Sequence, residues 1–156
     1  MLITIIGMPA TGKTTFGACL AKELGYHFRD LDHDISLQQN MSIAQIFSTK
    51  GEPFFRALEH KILQQHLDSQ NLVLALGGGT PCFQNNMQAI LANSLCIYLE
   101  TDLGQIARRL SHPKEKKTRP LFDNLSENQI LERLETLYHQ RIEYYKQAHF
   151  TLRKNI

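Results

Sequence analysis

A mostly parallel α/β fold is what this sequence predicts, and three observations carry it. Short apolar runs rich in β-branched residues alternate with stretches of helical periodicity, the pattern of strands joined by crossover helices. The first run, Leu2-Ile3-Thr4-Ile5-Ile6, leads straight into Gly7-Met8-Pro9-Ala10-Thr11-Gly12-Lys13-Thr14, which fits G-x-x-x-x-G-K-[ST]. The third run, 72–76, ends in Gly77-Gly78-Gly79, a place where a ligand can approach bare backbone.

Taken in order, 2–6 reads as a buried strand, and Phe16, Leu20 and Leu24, spaced by four, predict the helix that follows. His27-Phe28-Arg29-Asp30-Leu31 reads as a second strand. Ser42 is expected to cap a short helix over 42–48 with Ile43, Ile46 and Phe47 on one face. A longer helix is expected over 52–67, the third strand over 72–76, a helix over 86–91, a fourth strand over 95–99 and a helix over 103–110. The polar, basic stretch from Ser111 to Pro120, with Pro113 near its start, reads as a mobile flap rather than core. Helical periodicity resumes over 127–146, and 149–153 closes the set as a fifth strand.

Composition narrows the class. A chain of 156 residues forms one domain, 1–156, with a proper core. Its 42% hydrophobic and 21% charged content is that of an ordinary globular protein. A net charge of +2 gives no electrostatic footprint for nucleic acid. No apolar run reaches the roughly 20 residues needed to cross a bilayer, and Met1 runs directly into the first strand, so no signal peptide is expected. Cys19, Cys82 and Cys96 are widely spaced, which fits reduced, buried thiols in a cytoplasmic protein. The histidines lack metal-ligand spacing; His60 and His66 are read as surface or packing residues.

The chemistry gathers where an open α/β sheet collects ligands, at the carboxyl ends of its strands. A strand, a glycine-containing turn and a helix start make an anion site, because backbone N–H groups point inward and the helix dipole adds positive charge. Lys13 would reach the terminal phosphates of a nucleoside triphosphate, and the Thr14 hydroxyl would ligate its Mg²⁺. The second strand delivers Asp30 and Asp32, whose alternation would point both carboxylates to one side. No Asp follows Leu76 to hold the metal, so Asp30, acting through water, is the candidate support. The alternative for these acids is structural: Asp32 or Asp34 could cap the next helix. These residues describe a phosphotransferase with a small acceptor.

At this point the chain resembles the shikimate kinase family. After the phosphate loop come D-x-D (Asp30, Asp32), I-x-x-I-F before a glycine (Ile43, Ile46, Phe47, Gly51) and F-R-x-x-E (Phe55, Arg56, Glu59). G-G-G (77–79), R-P-L (Arg119, Pro120, Leu121) and R-x-x-x-Y (Arg141, Tyr145) follow in the same order, so the motifs span 7–145. The resemblance implies a three-layer α/β/α P-loop kinase fold with a five-stranded parallel sheet and a lid over about 111–124. It implies transfer of the γ-phosphate of ATP to the 3-hydroxyl of shikimate, with Mg²⁺. ATP would be held by Gly7, Met8, Pro9, Ala10, Thr11, Gly12, Lys13, Thr14 and Thr15, with Arg109 at adenine and Arg119 swinging in on the lid. Arg56 and Arg141 would fork the acceptor carboxylate, Asp32 would orient the hydroxyl and accept its proton, and Gly77, Gly78 and Gly79 would offer backbone N–H groups. Phe47, Phe55, Pro120 and Leu121 would wall the ring, and Glu59 belongs to the same substrate set. Lys13, Asp32 and Arg119 would be the catalytic residues. The implied enzyme is a cytoplasmic monomer that binds neither nucleic acid nor membrane.

Departures from the family pattern are few. Pro9-Ala10-Thr11 replaces smaller residues in the loop, Asp34 adds a third acid, Ser36 stands where an acid is common, and Arg108 competes with Arg109. Relatives continue past the last strand, whereas this sequence ends at Ile156, which predicts weaker ATP binding and looser choice among nucleotides. A gluconate-kinase-like enzyme and a binding protein without turnover are the rival readings. The arginine pair with Asp32 and the glycines opposes the first; intact Lys13, Thr14, Asp32 and Arg119 oppose the second.

Overall fold

The computed structural model describes residues 1–154, with Pro120 described in its backbone alone. Five parallel strands, β1 (Leu2–Ile6), β2 (His27–Asp30), β3 (Leu72–Ala75), β4 (Leu95–Glu100) and β5 (Phe150–Arg153), lie in the order β2-β3-β1-β4-β5. The central strands are buried on both faces, as parallel strands covered by helices must be. Leu2, Ile6, Leu72, Leu74, Cys96 and Tyr98 join the larger core, while Ile3, Ile5, Val73, Ile97 and Leu99 join a smaller one on the other face.

That smaller core is covered by α1 (Lys13–Leu24). Its buried residues are Gly17 and Ala21, with Phe16 and Leu20 at the shoulders, and Leu24 is exposed. The spacing of large residues therefore located the helix but not its contact line. A Cβ at Gly17 would lie 2.6 Å from the Phe28 ring, so the helix approaches the sheet through its smallest residues.

The larger core is covered by α2 (Leu31–Gln39), α3 (Ile43–Lys50), α4 (Glu52–His66), α5 (Asn86–Asn93), α6 (Leu103–Ser111) and α8 (Glu127–Tyr145). Ser42 does cap α3, in a reciprocal box with Gln45, and Ser126 caps α8 in the same way with Gln129. The second strand corrects the sequence reading: it stops at Asp30, and Leu31 already belongs to α2. The Asp30 carboxylate ends the strand and caps the helix, accepting from the N–H groups of Asp32 (3.0 Å) and His33 (3.3 Å). Asp32 thus projects from a first helical turn and not from an alternating strand.

The flap also differs from expectation. It contains α7 (Pro113–Thr118), opened by Pro113 and capped by His112, and then a 3₁₀ turn over Pro120–Phe122. Phe122 is buried, Lys116 Nζ donates to Leu125 O, and Arg133 Nη1 donates to Leu121 O, so the far end of the flap is pinned to the body. Among the cysteines only Cys96 is buried; Cys82 is half-buried and Cys19 exposed. His60 and His66 are half-buried and hydrogen-bonded, to Asn86 and Asp34.

Candidate active site

At the carboxyl ends of β1, β2 and β3 lies a cleft of about 740 Å³ whose lining includes Lys13, Thr14, Asp30, Asp32, Gly78 and Arg119. Its floor is the loop between β1 and α1. Gly7 passes so close to β4 that a Cβ there would lie 2.6 Å from Leu99 O. The loop carbonyls are occupied from within. Lys13 Nζ donates to Gly7 O (3.0 Å) and Met8 O (2.7 Å), Thr11 Oγ1 to Met8 O (3.1 Å), and Arg109 Nη1 to Ala10 O (3.0 Å). Tying the carbonyls down fixes the peptide planes, as an anion-binding nest of N–H groups requires. Thr14 Oγ1 donates to Asp30 Oδ2 at 2.7 Å, which sets a hydroxyl and a carboxylate side by side at the start of α1.

Above the floor, the glycine triplet is the meeting point. A Cβ at Gly77 would lie 3.0 Å from Asp32 Oδ1, one at Gly78 would lie 2.8 Å from Arg141 Nη1, and one at Gly79 would lie 2.6 Å from Arg56 Nη2. Each glycine leaves the volume that one polar side chain occupies. Three side chains from α2, α8 and α4 are thereby drawn onto a single strip of backbone. Asp32 Oδ1 is shielded from solvent and has no hydrogen-bond partner among the described residues. Asp34, by contrast, faces away, taken up by Arg29 (3.0 Å) and His66 (2.9 Å). Of the two, Asp32 lines the cleft and Asp34 does not.

Arg56 does make the intrahelical pairs open to it, with Glu52 (3.3 Å) and Glu59 (2.8 Å), yet remains at the site. Its guanidinium also lies 4.1 Å over the Phe83 ring. Phe47 and Phe55 pack ring to ring at 4.6 Å, with Phe55 buried against the core. Leu121 is 57% exposed, and it is Phe122 of the flap that is buried; the expectation for Pro120 as a wall falls on a side chain outside the described residues. Arg109 contacts the loop, while Arg108 Nε turns back to Gly104 O.

Tyr145, which the sequence reading has only as the end of the R-x-x-x-Y motif with no role at the site, is a further contributor. Its buried hydroxyl donates to Gly78 O at 2.6 Å, and its ring stacks on Tyr98 at 5.0 Å. It braces the triplet from below, one turn along α8 from Arg141.

The electrostatics match a polyanion. Burial, and then Arg119, lowers the Lys13 pKa to about 7, against the opposing pull of Asp32 and Asp30. Burial, then Asp30 and Glu59, raises the Asp32 carboxyl to about 6. One wall is crowded with cations and the other carries a poised acid. Phosphates would relieve the first, and a hydroxyl losing its proton would use the second.

The family model described as shikimate kinase matches residues 9–155. A shikimate kinase of Chloroherpeton thalassium is 40% identical over 152 residues, covering 94% of this chain and 80% of that protein. One of Flavobacterium psychrophilum is 34% identical, covering 96% and 87%. Among solved structures, the shikimate kinase of Bacteroides thetaiotaomicron superposes with a TM-score of 0.93 at 28% identity, over 98% of this chain and 86% of that one. That of Acinetobacter baumannii, in complex with shikimate, gives 0.90 at 31% identity, over 99% and 84%.

Proposed function

The chain belongs to the shikimate kinase family, an ATP-dependent kinase family, and from that premise we propose how its residues move the γ-phosphate of ATP to the 3-hydroxyl of shikimate. The observation that carries the assignment is the convergence of Asp32, Arg141 and Arg56 on Gly77, Gly78 and Gly79, opposite the phosphate loop. A small ring acid offers one carboxylate and a few hydroxyls. Two guanidiniums suit the carboxylate, and the buried, unpartnered oxygen of Asp32 suits a hydroxyl. Phe47 and Phe55 supply the apolar wall.

The acceptor oxygen attacks the γ-phosphorus in line, the bond to the β–γ bridging oxygen breaks, and ADP leaves with that electron pair. Asp32 takes the proton the hydroxyl loses. Lys13 and Arg119 hold charge on the transferring group, and Arg109 lies at the base end of the loop. Thr14 and Asp30 present adjacent hard oxygens of the kind Mg²⁺ takes, and in this reading Thr14 would hold the ion while Asp30 would support it through water. When bound, the ion would neutralise polyphosphate charge. The flap carrying Arg119 excludes water, which would otherwise accept the phosphoryl group. The monomer is the working unit in this reading, and nucleic acid plays no part. Among the described residues no helix is long and apolar enough to cross a membrane.

A coupled assay of ADP release with Mg-ATP tests it, comparing shikimate, gluconate and no acceptor. Shikimate-dependent release is expected. Nucleotide binding without release, or release driven by gluconate, would overturn the assignment.

A further inference from the structure

Behind Arg56, at the carboxylate-binding end of the site, runs a buried polar chain whose members Thr80 and Asn86 have no role above. It begins at Arg56, whose Nη1 donates to Glu59 Oε1 at 2.8 Å. The other oxygen, Glu59 Oε2, accepts from Thr80 Oγ1 at 2.7 Å. Asn86 Nδ2 donates to Thr80 O at 2.9 Å, and Asn86 Oδ1 meets His60 Nδ1 at 2.7 Å. Glu59, Thr80 and Asn86 are each 0% exposed.

The directions of these bonds follow from one fixed point. A carbonyl can only accept, so Thr80 O requires the amide nitrogen of Asn86. The amide oxygen then faces His60, whose Nδ1 must carry the proton. At the other end, a carboxylate as buried as Glu59 is tolerable only when its charge is paired and its lone pairs are met. Arg56 supplies the charge and the Thr80 hydroxyl the second donor. With both oxygens engaged, Glu59 holds one orientation and keeps Nη1 of Arg56 tied. Nη2, which makes no hydrogen bond among the described residues, stands over Gly79.

We infer that Thr80, braced at its carbonyl by Asn86, is a positioning residue for the acceptor carboxylate: its hydroxyl acts through Glu59 to aim the guanidinium of Arg56. The inference rests on the reading of Arg56 as a carboxylate ligand. The remaining restraints on Arg56 are the Glu52 pair at 3.3 Å, whose carboxylate is half exposed, and the rings of Phe83 and Phe55 at 4.1 and 5.2 Å. The rings leave in-plane rotation open, and the exposed Glu52 holds it more weakly than a buried partner does. Glu59 is that buried partner, and Thr80 is what fixes Glu59. The hydroxyl joins α4 directly to the 3₁₀ turn after the glycines (Thr80–Cys82), and Asn86 makes a second, indirect link through His60.

Thr80→Val removes the hydroxyl at nearly constant volume. With Mg-ATP saturating, it is expected to raise KM for shikimate about tenfold, as for the loss of a hydrogen bond to a buried charge, with kcat and KM for ATP within about twofold. Thr80→Ser restores the hydroxyl and should return KM to near the wild-type value. The decisive comparison uses shikimate methyl ester, which lacks the carboxylate charge. Wild type should turn it over poorly, and Thr80→Val should add no further penalty on it. If Thr80→Val fails to fold, Thr80→Ala carries the same expectations. An unchanged KM for shikimate, or an equal penalty on acid and ester, would overturn the inference while leaving the carboxylate assignment intact. A wild type that does not distinguish acid from ester would overturn the assignment of Arg56 itself.

Discussion

The two halves of the cleft are built on different principles. On the acceptor side, Arg56 is held by Glu59, Glu59 by Thr80 and Gly78 by Tyr145, and each of these three braces is itself buried. On the nucleotide side the floor is main chain and the rim is a set of partly or fully exposed cations, Arg108, Arg109 and Lys114 among them. Lys154 joins that rim, its Nζ 3.3 Å from where a Cβ on Gly12 would stand. A triphosphate offers many equivalent oxygens, so backbone N–H groups and a surplus of cations suffice to hold it. A small ring acid offers few handles, and each needs its own aimed partner. Single substitutions should therefore be severe on the acceptor side and mild on the nucleotide rim.

The largest effect tests the acid. Asp32→Asn keeps the shape but cannot take the proton, and kcat is expected to fall about a thousandfold, within the range for loss of a general base. Binding of Mg-ATP, measured by titration calorimetry, should survive. Unchanged turnover would make Asp32 no more than a residue of the first turn of α2. A step smaller is Gly79→Ala. The backbone there is ordinary, so the cost is purely steric: the new methyl would stand 2.6 Å from Nη2, 2.9 Å from Nη1 and 3.0 Å from Cζ of Arg56. Because Glu59 and Phe83 hold that guanidinium, it cannot give way freely. KM for shikimate should rise about tenfold or more, as displacements of a binding group by a fraction of an ångström do. KM for ATP should stay put. A matching loss on both substrates would mean that the cleft moves as one body and the two halves are not separate.

What was legible in the sequence was whatever depends on local spacing. The phosphate loop, the five strands, the Ser42 cap and the glycine triplet all announce themselves within a few residues. The order of the motifs then brought Arg56, Arg141 and Asp32 into one site before any distance was known. Local spacing failed where one residue serves two elements or where contact is set by absence. Asp30 both ends β2 and caps α2, so the strand pattern ran on past its true end. Gly17 and Ala21 make the contact line of α1 because they are small, and a search for large apolar residues looks past them. The Tyr145 hydroxyl meets a carbonyl 67 residues away, and the Glu59–Thr80 bond spans 21 residues. No periodicity encodes such pairs; they exist only once the sheet has ordered the segments.

The smallest effect is the sharpest test of redundancy. Arg109 is the rim residue with the best individual claim, since its Nη1 donates to Ala10 O at 3.0 Å from 99 positions away. Ala10 sits at φ 58, a conformation costly for a residue with a side chain, so the bond also steadies the loop. Arg109→Gln keeps a donor and deletes the charge. If the rim is a surplus of cations, the remaining ones cover the loss, and KM for ATP should rise only about threefold, the scale of one partly exposed ionic contact. KM for shikimate should not change, because no part of the buried chain under Arg56 reaches α6. A rise beyond about thirtyfold, equivalent to roughly 2 kcal/mol, would show a nucleotide half as finely aimed as the acceptor half, and the contrast between them would fail at its weakest point. The salt dependence separates the two cases further: a surplus of exposed charges is screened together, so raising ionic strength should shrink the difference between variant and wild type.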